Sequence, residues 1–150
     1  MRRINRERTM FSHIMVGARD LPRMTAFYEA VLAPLGLVRD FTYEDSGPAG
    51  STWIVPGRPW QQFFVQYPFN GLPATWGNGV QVSFAAATPQ AAEAAWRAAI
   101  AHGGFDEGAP GLRPHYGADY YAAYCRDPEG NKLCFVHTGE VAALAAGNLA

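Results

Sequence analysis

Apolar and polar residues alternate with period two in "FSHIMVGA" (11–18), and the next residues switch to a helical period. In "LPRMTAFYEAVLAPLG" the apolar positions Leu21, Met24, Phe27, Tyr28, Val31 and Leu32 recur at the spacing that lines one face of a helix. Asp20 stands where a short oxygen-bearing side chain can accept from the first unpaired helical N–H groups, and Pro22 suits a first turn. Pro34 and Gly36 stop the pattern. The same grammar returns later. "GVQVSFAA" (79–86) alternates, Thr88 and Pro89 open "TPQAAEAAWRAAIAHGG", and Gly103 and Gly104 close it.

The two units keep one register. His13 to Gln81 is an interval of 68 residues, and the same interval separates Asp20 from Thr88, Tyr28 from Trp96, Leu32 from Ile100 and Gly36 from Gly104. Shorter strand patterns follow each helix, near 38–43, 52–55 and 62–67 in the first unit and near 105, 120–125 and 132–137 in the second. The chain therefore predicts an α+β domain over 10–138, built of a strand, a helix and about three strands, twice. Module 1 spans about 10–68 and module 2 about 79–138, joined by the Gly-, Pro- and Asn-containing linker 69–78. A basic tail (1–9) and a C-terminal tail (139–150) flank them.

Composition narrows the function classes. A chain of 150 residues with 49% apolar residues can bury one sizeable core, and a formal net charge of -1 argues against nucleic acid as a partner. Arg2, Arg3, Arg6 and Arg8 read as a solvated terminus. Cys125 and Cys134 are too few and too close for a secreted disulfide framework. No apolar run approaches the roughly 18 residues of a membrane span, and no signal-peptide order opens the chain. A cytoplasmic protein that engages neither nucleic acid nor membrane is the expectation.

The opening "FSHIMVGARDLPRMTAFYEAVLAPLGL" resembles the first module of the vicinal oxygen chelate superfamily, the glyoxalase, bleomycin-resistance and extradiol-dioxygenase group. The ending "YYAAYCRDPEGNKLCFVH", with its Asp-Pro-acidic-Gly-Asn turn, is similar to that group's terminal hairpin. The resemblance covers residues 10 to 138. It implies a glyoxalase-like fold: two βαβββ modules whose curved mixed sheets form a cup with the helices outside.

The resemblance also implies a divalent metal held by the first and last strands of the modules. The corresponding positions are His13, Gln81, Cys134, which stands where the family usually has a glutamate, and Gln66, obtained by adding the Gln81-to-Cys134 interval of 53 residues to His13. Gln62 and Phe64 share the strand face of Gln66. One imidazole, one thiol and two neutral amides make a weak shell for zinc, nickel, manganese or iron, so an empty site is the favoured expectation. Cys134 itself reads first as a small buried filler. Further ligand-binding candidates are Ser83, beside Gln81, and the aromatic and basic segment "GLRPHYGADYY", with Arg113, His115, Tyr116 and Tyr121. His102 reads as a helix-end residue, and His137 lies on the opposite strand face from Cys134.

Two functions follow from the resemblance. One is a metal-assisted lyase or isomerase, of the lactoylglutathione-lyase kind, acting on a small oxygen-bearing substrate. The other is a metal-free protein that binds or sequesters a small molecule, as bleomycin-resistance members do. A homodimer is expected in either case.

Overall fold

The structure, a computed structural model, describes residues 9–42 and 46–145. The arginine-rich segment 1–8 lies outside the described residues. β1 (His13–Gly17) leads into α1 (Leu21–Leu32), and β2 (Val38–Asp40), β3 (Gly50–Ile54) and β4 (Gln62–Gln66) follow. The second module repeats the order with β5 (Gln81–Ala85), α2 (Pro89–Ala101), β6 (Phe105–Leu112), β7 (Tyr121–Arg126) and β8 (Lys132–His137). The predicted caps are in place. Asp20 Oδ1 accepts from the Arg23 amide at 3.0 Å, and Thr88 Oγ1 accepts from the Ala91 amide at 3.0 Å. Gly36 adopts φ 79°, a left-handed turn that a side chain would strain.

Each module is an open four-stranded sheet, ordered β1-β4-β3-β2 and β5-β8-β7-β6. The helix carries the chain from one sheet edge to the other, and the antiparallel meander then returns until the fourth strand lies parallel to the first. This return makes His13 and Gln62, far apart in sequence, direct neighbours. Two mixed sheets with helices constitute the expected α+β fold.

One core serves both modules. From α1 come Met24, Phe27, Tyr28, Val31 and Leu32, and from α2 the small residues Ala92, Ala95 and Ala99, all buried. The small face of α2 lets bulky neighbours approach closely, which keeps dispersion contacts continuous between the modules. Trp53 and Phe63 of sheet 1 and Phe135 of sheet 2 complete the core, and Phe63 meets Phe84 edge to face with centroids 5.0 Å apart.

Local boundaries differ from the sequence pattern in three places. β2 ends at Asp40, because Asp40 Oδ1 accepts from the Thr42 amide and hydroxyl and turns the chain; residue 43 lies outside the described residues. β5 begins at Gln81, so Val80, within the alternating stretch 79–86, lies just ahead of the strand and is exposed. Residues Gly139–Ala145 form a short helix, α3, with Thr138 Oγ1 accepting from the Val141 amide at 3.0 Å.

Candidate functional site

Strand register decides which side chains share the sheet faces turned away from α1 and α2. On sheet 1, His13 pairs with Gln62, Met15 with Phe64, and Gly17 with Gln66. Ile14, Val16, Phe63 and Val65 alternate onto the other face, where Val16, Phe63 and Val65 enter the core. On sheet 2, Gln81 pairs with Lys132 and Ser83 with Cys134, and Cys134 pairs in turn with Tyr124.

His13 is exposed, with Ser12 Oγ 2.9 Å from its Nδ1 and its ring edge-on to Phe64 at 5.6 Å. Beside it, Gln62 is buried and donates from Nε2 to the Pro59 carbonyl at 2.7 Å. Gln66 lies four residues further along the sheet than the His13–Gln62 pair, about 13 Å at roughly 3.3 Å per residue. It lines two shallow depressions, one with Gly50, Thr52, Phe64 and Phe69, the other with Met15, Pro68, Asn70 and Leu72. The interval between paired first and last strands is two residues shorter in module 1 (13 to 62) than in module 2 (81 to 132). The counterpart of Cys134 is consequently Phe64, not Gln66.

Module 2 presents a connected polar cluster. Gln81 Nε2 donates to Ser83 Oγ at 2.9 Å, and the Cys134 thiol lies beside its strand partners Ser83 and Tyr124 and near Tyr120. Cys134 is fully buried, and that burial pushes its thiol pKa up despite the neighbouring hydroxyls and the nearby Arg113 charge. Burial likewise raises the Tyr124 and Tyr120 hydroxyls, with the neighbouring Cys134 adding to it. The Arg113 guanidinium lies over the Tyr124 ring at 5.6 Å, and Lys132 Nζ over the same ring at 5.7 Å. The loop joining β6 to β7 is closed by the Arg113 amide donating to the Tyr120 carbonyl at 2.7 Å. It stacks His115 on Tyr116 (4.1 Å) and Tyr116 on Tyr120 (5.2 Å).

Of the sequence candidates, Ser83, Cys134, Arg113, His115 and Tyr116 thus converge with Gln81 on one side of sheet 2. Tyr121 does not, since it pairs with His137 and packs against the core. His137 bonds the Ala86 carbonyl at 3.1 Å, and His102 bonds the Ala98 carbonyl at 2.8 Å at the end of α2. Tyr124 and Lys132 are additions that the sequence reading lacked. Counting outward from the 127–131 turn pairs Arg126 with Lys132 and Tyr124 with Cys134, so a signal for them existed.

The donor set does not fit a catalytic divalent ion. Such an ion needs several imidazole or carboxylate ligands with open positions for substrate. Here His13 has an amide and a phenyl ring as strand neighbours, and Cys134 is a neutral thiol enclosed by hydroxyls. Among the described residues no three of His, Cys, Asp and Glu are grouped to hold a metal.

Paired βαβββ modules with their far sheet faces carrying polar and aromatic side chains define a glyoxalase-type fold. Residues 10–135 match the model of the Glyoxalase/Bleomycin resistance protein/Dioxygenase superfamily, and the chain belongs to that family. It is 40% identical to a glyoxalase/bleomycin resistance protein from Albidiferax ferrireducens, over 87% of this chain and 99% of that one, with a TM-score of 0.71. The fold is shared at 21% identity by a glyoxalase/bleomycin resistance protein/dioxygenase family enzyme from Burkholderia phytofirmans, with 83% and 95% covered and a TM-score of 0.63. A glyoxalase-related enzyme from Fulvimarina pelagi shares it at 16% identity, with 86% and 88% covered and a TM-score of 0.64. No curated protein matches the chain. Among the described residues no helix is long and apolar enough to cross a membrane.

Proposed function

We propose that this protein binds a small planar organic molecule without a metal ion, as a binding or sequestering member of its family. The observation that carries this reading is the state of Cys134: its thiol is buried and protonated, with Ser83 and Tyr124 as its strand partners and Tyr120 nearby. A group so enclosed is neither an anionic ligand for a cation nor an activated nucleophile. Around it the exposed Tyr116 ring and the half-buried Tyr120 and Tyr124 offer stacking surface and hydroxyl donors.

The reading includes a homodimer and a cytoplasmic setting. Met15, Trp60, Phe69 and Trp76 are exposed in the single chain, and a second copy laid on them would remove this apolar surface from water. Both cysteines are free, which suits a reducing compartment.

Elemental analysis of protein purified without chelator, joined to thermal denaturation across a panel of aromatic compounds, tests the reading. The expected result is substoichiometric metal that His13→Ala does not change, with ligand stabilisation that survives EDTA. Near-stoichiometric zinc, nickel, manganese or iron that disappears in His13→Ala would overturn it and restore the metal-assisted lyase or isomerase.

A further inference from the structure

We propose that the depression on sheet 1 beside Gln66 and Thr52 is a second binding site, which takes a neutral single-ring compound bearing a primary carboxamide. All of its lining residues fall within 46–69. It is therefore separate from the Tyr116, Tyr120 and Tyr124 surface of module 2 and stands independently of the function proposed there.

Strand pairing builds the site. Thr52 lies opposite Phe64 and Gly50 opposite Gln66, so Thr52 and Gln66 are diagonal neighbours on one face of the β3–β4 pair, with backbones roughly 7–8 Å apart. Together with Gly50, Phe64 and Phe69 they line a cavity of about 200 Å³. At roughly 30 Å³ per water that volume holds about seven waters, which is room for one small ring. Gly50 keeps β3 close at this point: a Cβ there would stand 2.6 Å from Gln66 Cβ and 2.9 Å from the Val65 carbonyl oxygen, and so would push Gln66 away.

Both polar groups are uncommitted. Thr52 is only 2% exposed, yet its hydroxyl makes no hydrogen bond among the described residues. Its oxygen is not sealed off from solvent, so it opens onto the depression that the residue lines. The half-buried Gln66 side-chain amide likewise has no protein partner among the described residues. An amide carries an N–H donor and a carbonyl acceptor on one edge, and a primary carboxamide presents the complementary pair, so two reciprocal hydrogen bonds can form. The second N–H of the ligand is then left for the Thr52 hydroxyl, and groups that folding left without partners acquire them.

Charge excludes the acid counterpart of such a ligand. No lining residue is charged. Asp40 pairs with Thr52 across β2 and β3 and so shares its face, and the bonds from the Thr42 hydroxyl and amide hold its carboxyl below the ordinary value. Arg39 is turned to the opposite face, over Trp53. A carboxylate beside the depression repels an anion and leaves a neutral compound favoured. Phe64, half-buried, and Phe69, 90% exposed, supply ring surface for a flat ligand to cover.

NMR titration with benzamide, N,N-dimethylbenzamide and benzoate tests the inference on wild type, Thr52→Val, Gln66→Met and Tyr116→Ala. Wild type should bind benzamide about fivefold or more tightly than the other two, and Thr52→Val and Gln66→Met should each weaken benzamide about three- to tenfold, the effect of losing one ordinary hydrogen bond. Tyr116→Ala should leave it unchanged. Benzoate bound as tightly as benzamide overturns the neutral-ligand assignment, and dimethylbenzamide bound as tightly overturns the carboxamide. Benzamide affinity that Gln66→Met leaves intact, or binding of none of the three, overturns the site. If Tyr116→Ala abolishes binding while Gln66→Met does not weaken it, the compound sits on module 2; this inference then falls and the function proposed above stands. The Gln66 side chain makes no hydrogen bond that folding depends on, so Gln66→Met keeps the test valid should Thr52→Val fold poorly.

Discussion

The hydroxyl of Tyr28 donates to Oδ2 of Asp127 at 2.7 Å, joining α1 of the first module to the β7–β8 turn of the second across 99 residues. Asp127 is fully buried and also accepts from Asn131 Nδ2 (2.7 Å), the Glu129 amide (2.9 Å) and the Asn131 amide (3.0 Å). Two residues on, Glu129 reaches back to the first module, where its two carboxylate oxygens accept from the Arg19 amide at 2.6 Å and the Asp20 amide at 3.0 Å. The "DPEGN" turn is thus a clamp between modules as well as the corner of a hairpin.

Tyr28→Phe removes one hydroxyl from that clamp and leaves a buried carboxylate short of a donor, at a cost of about 1–3 kcal/mol. Glu129→Ala frees two backbone amides at the start of α1 and should cost about 1 kcal/mol, as the loss of a helix cap does. Both substitutions loosen the same turn, so urea denaturation of the singles and the double should show a coupling of at least about 0.5 kcal/mol. Strict additivity would mean that the two contacts stabilise independently.

Burial raises the pKa of Asp127 above its ordinary value, although the bonds from Tyr28, Asn131 and Glu129 pull it back. The native state therefore holds the Asp127 proton more tightly than the unfolded chain does. The stability contributed by this group is fully present below the unfolded pKa, about 3.9, and is lost as pH rises through the raised native value. Denaturation midpoints of wild type and Asp127→Asn, measured from acid to neutral pH, should show the wild type losing its share across that window while the Asn variant is flatter. Parallel curves would refute the assignment.

Burial pushes the Cys125 thiol up to about 12, with the Asp127 charge adding to it, and burial raises Cys134 as well. Thiolate is the reactive form, so both cysteines should resist a disulfide reagent at pH 8 in the native protein and react fully in denaturant. Rapid native labelling of Cys134 would contradict both its burial and the proposed function.

Much of the architecture was legible because it is encoded locally. Asp20 and Thr88 cap their helices as their side chains require, and the strand pattern read near 132–137 is β8 (Lys132–His137). The site was less legible. Composition and parity singled out Arg113, His115, Tyr116 and Ser83 as candidates, but Tyr121 faces the core and Phe64, not Gln66, is the counterpart of Cys134.

The sequence by itself determined the repeated strand-and-helix order, the helix ends and the family, since periodicity, capping and turn chemistry act within a few residues. Only the tertiary structure decided which side chains meet. Register between strands far apart in the chain depends on the length of everything between them, and module 1 spaces its paired strands two residues closer than module 2. That difference leaves an amide beside His13, and strand pairing encloses Cys134 among hydroxyls and brings Lys132 over the ring already shared with Arg113.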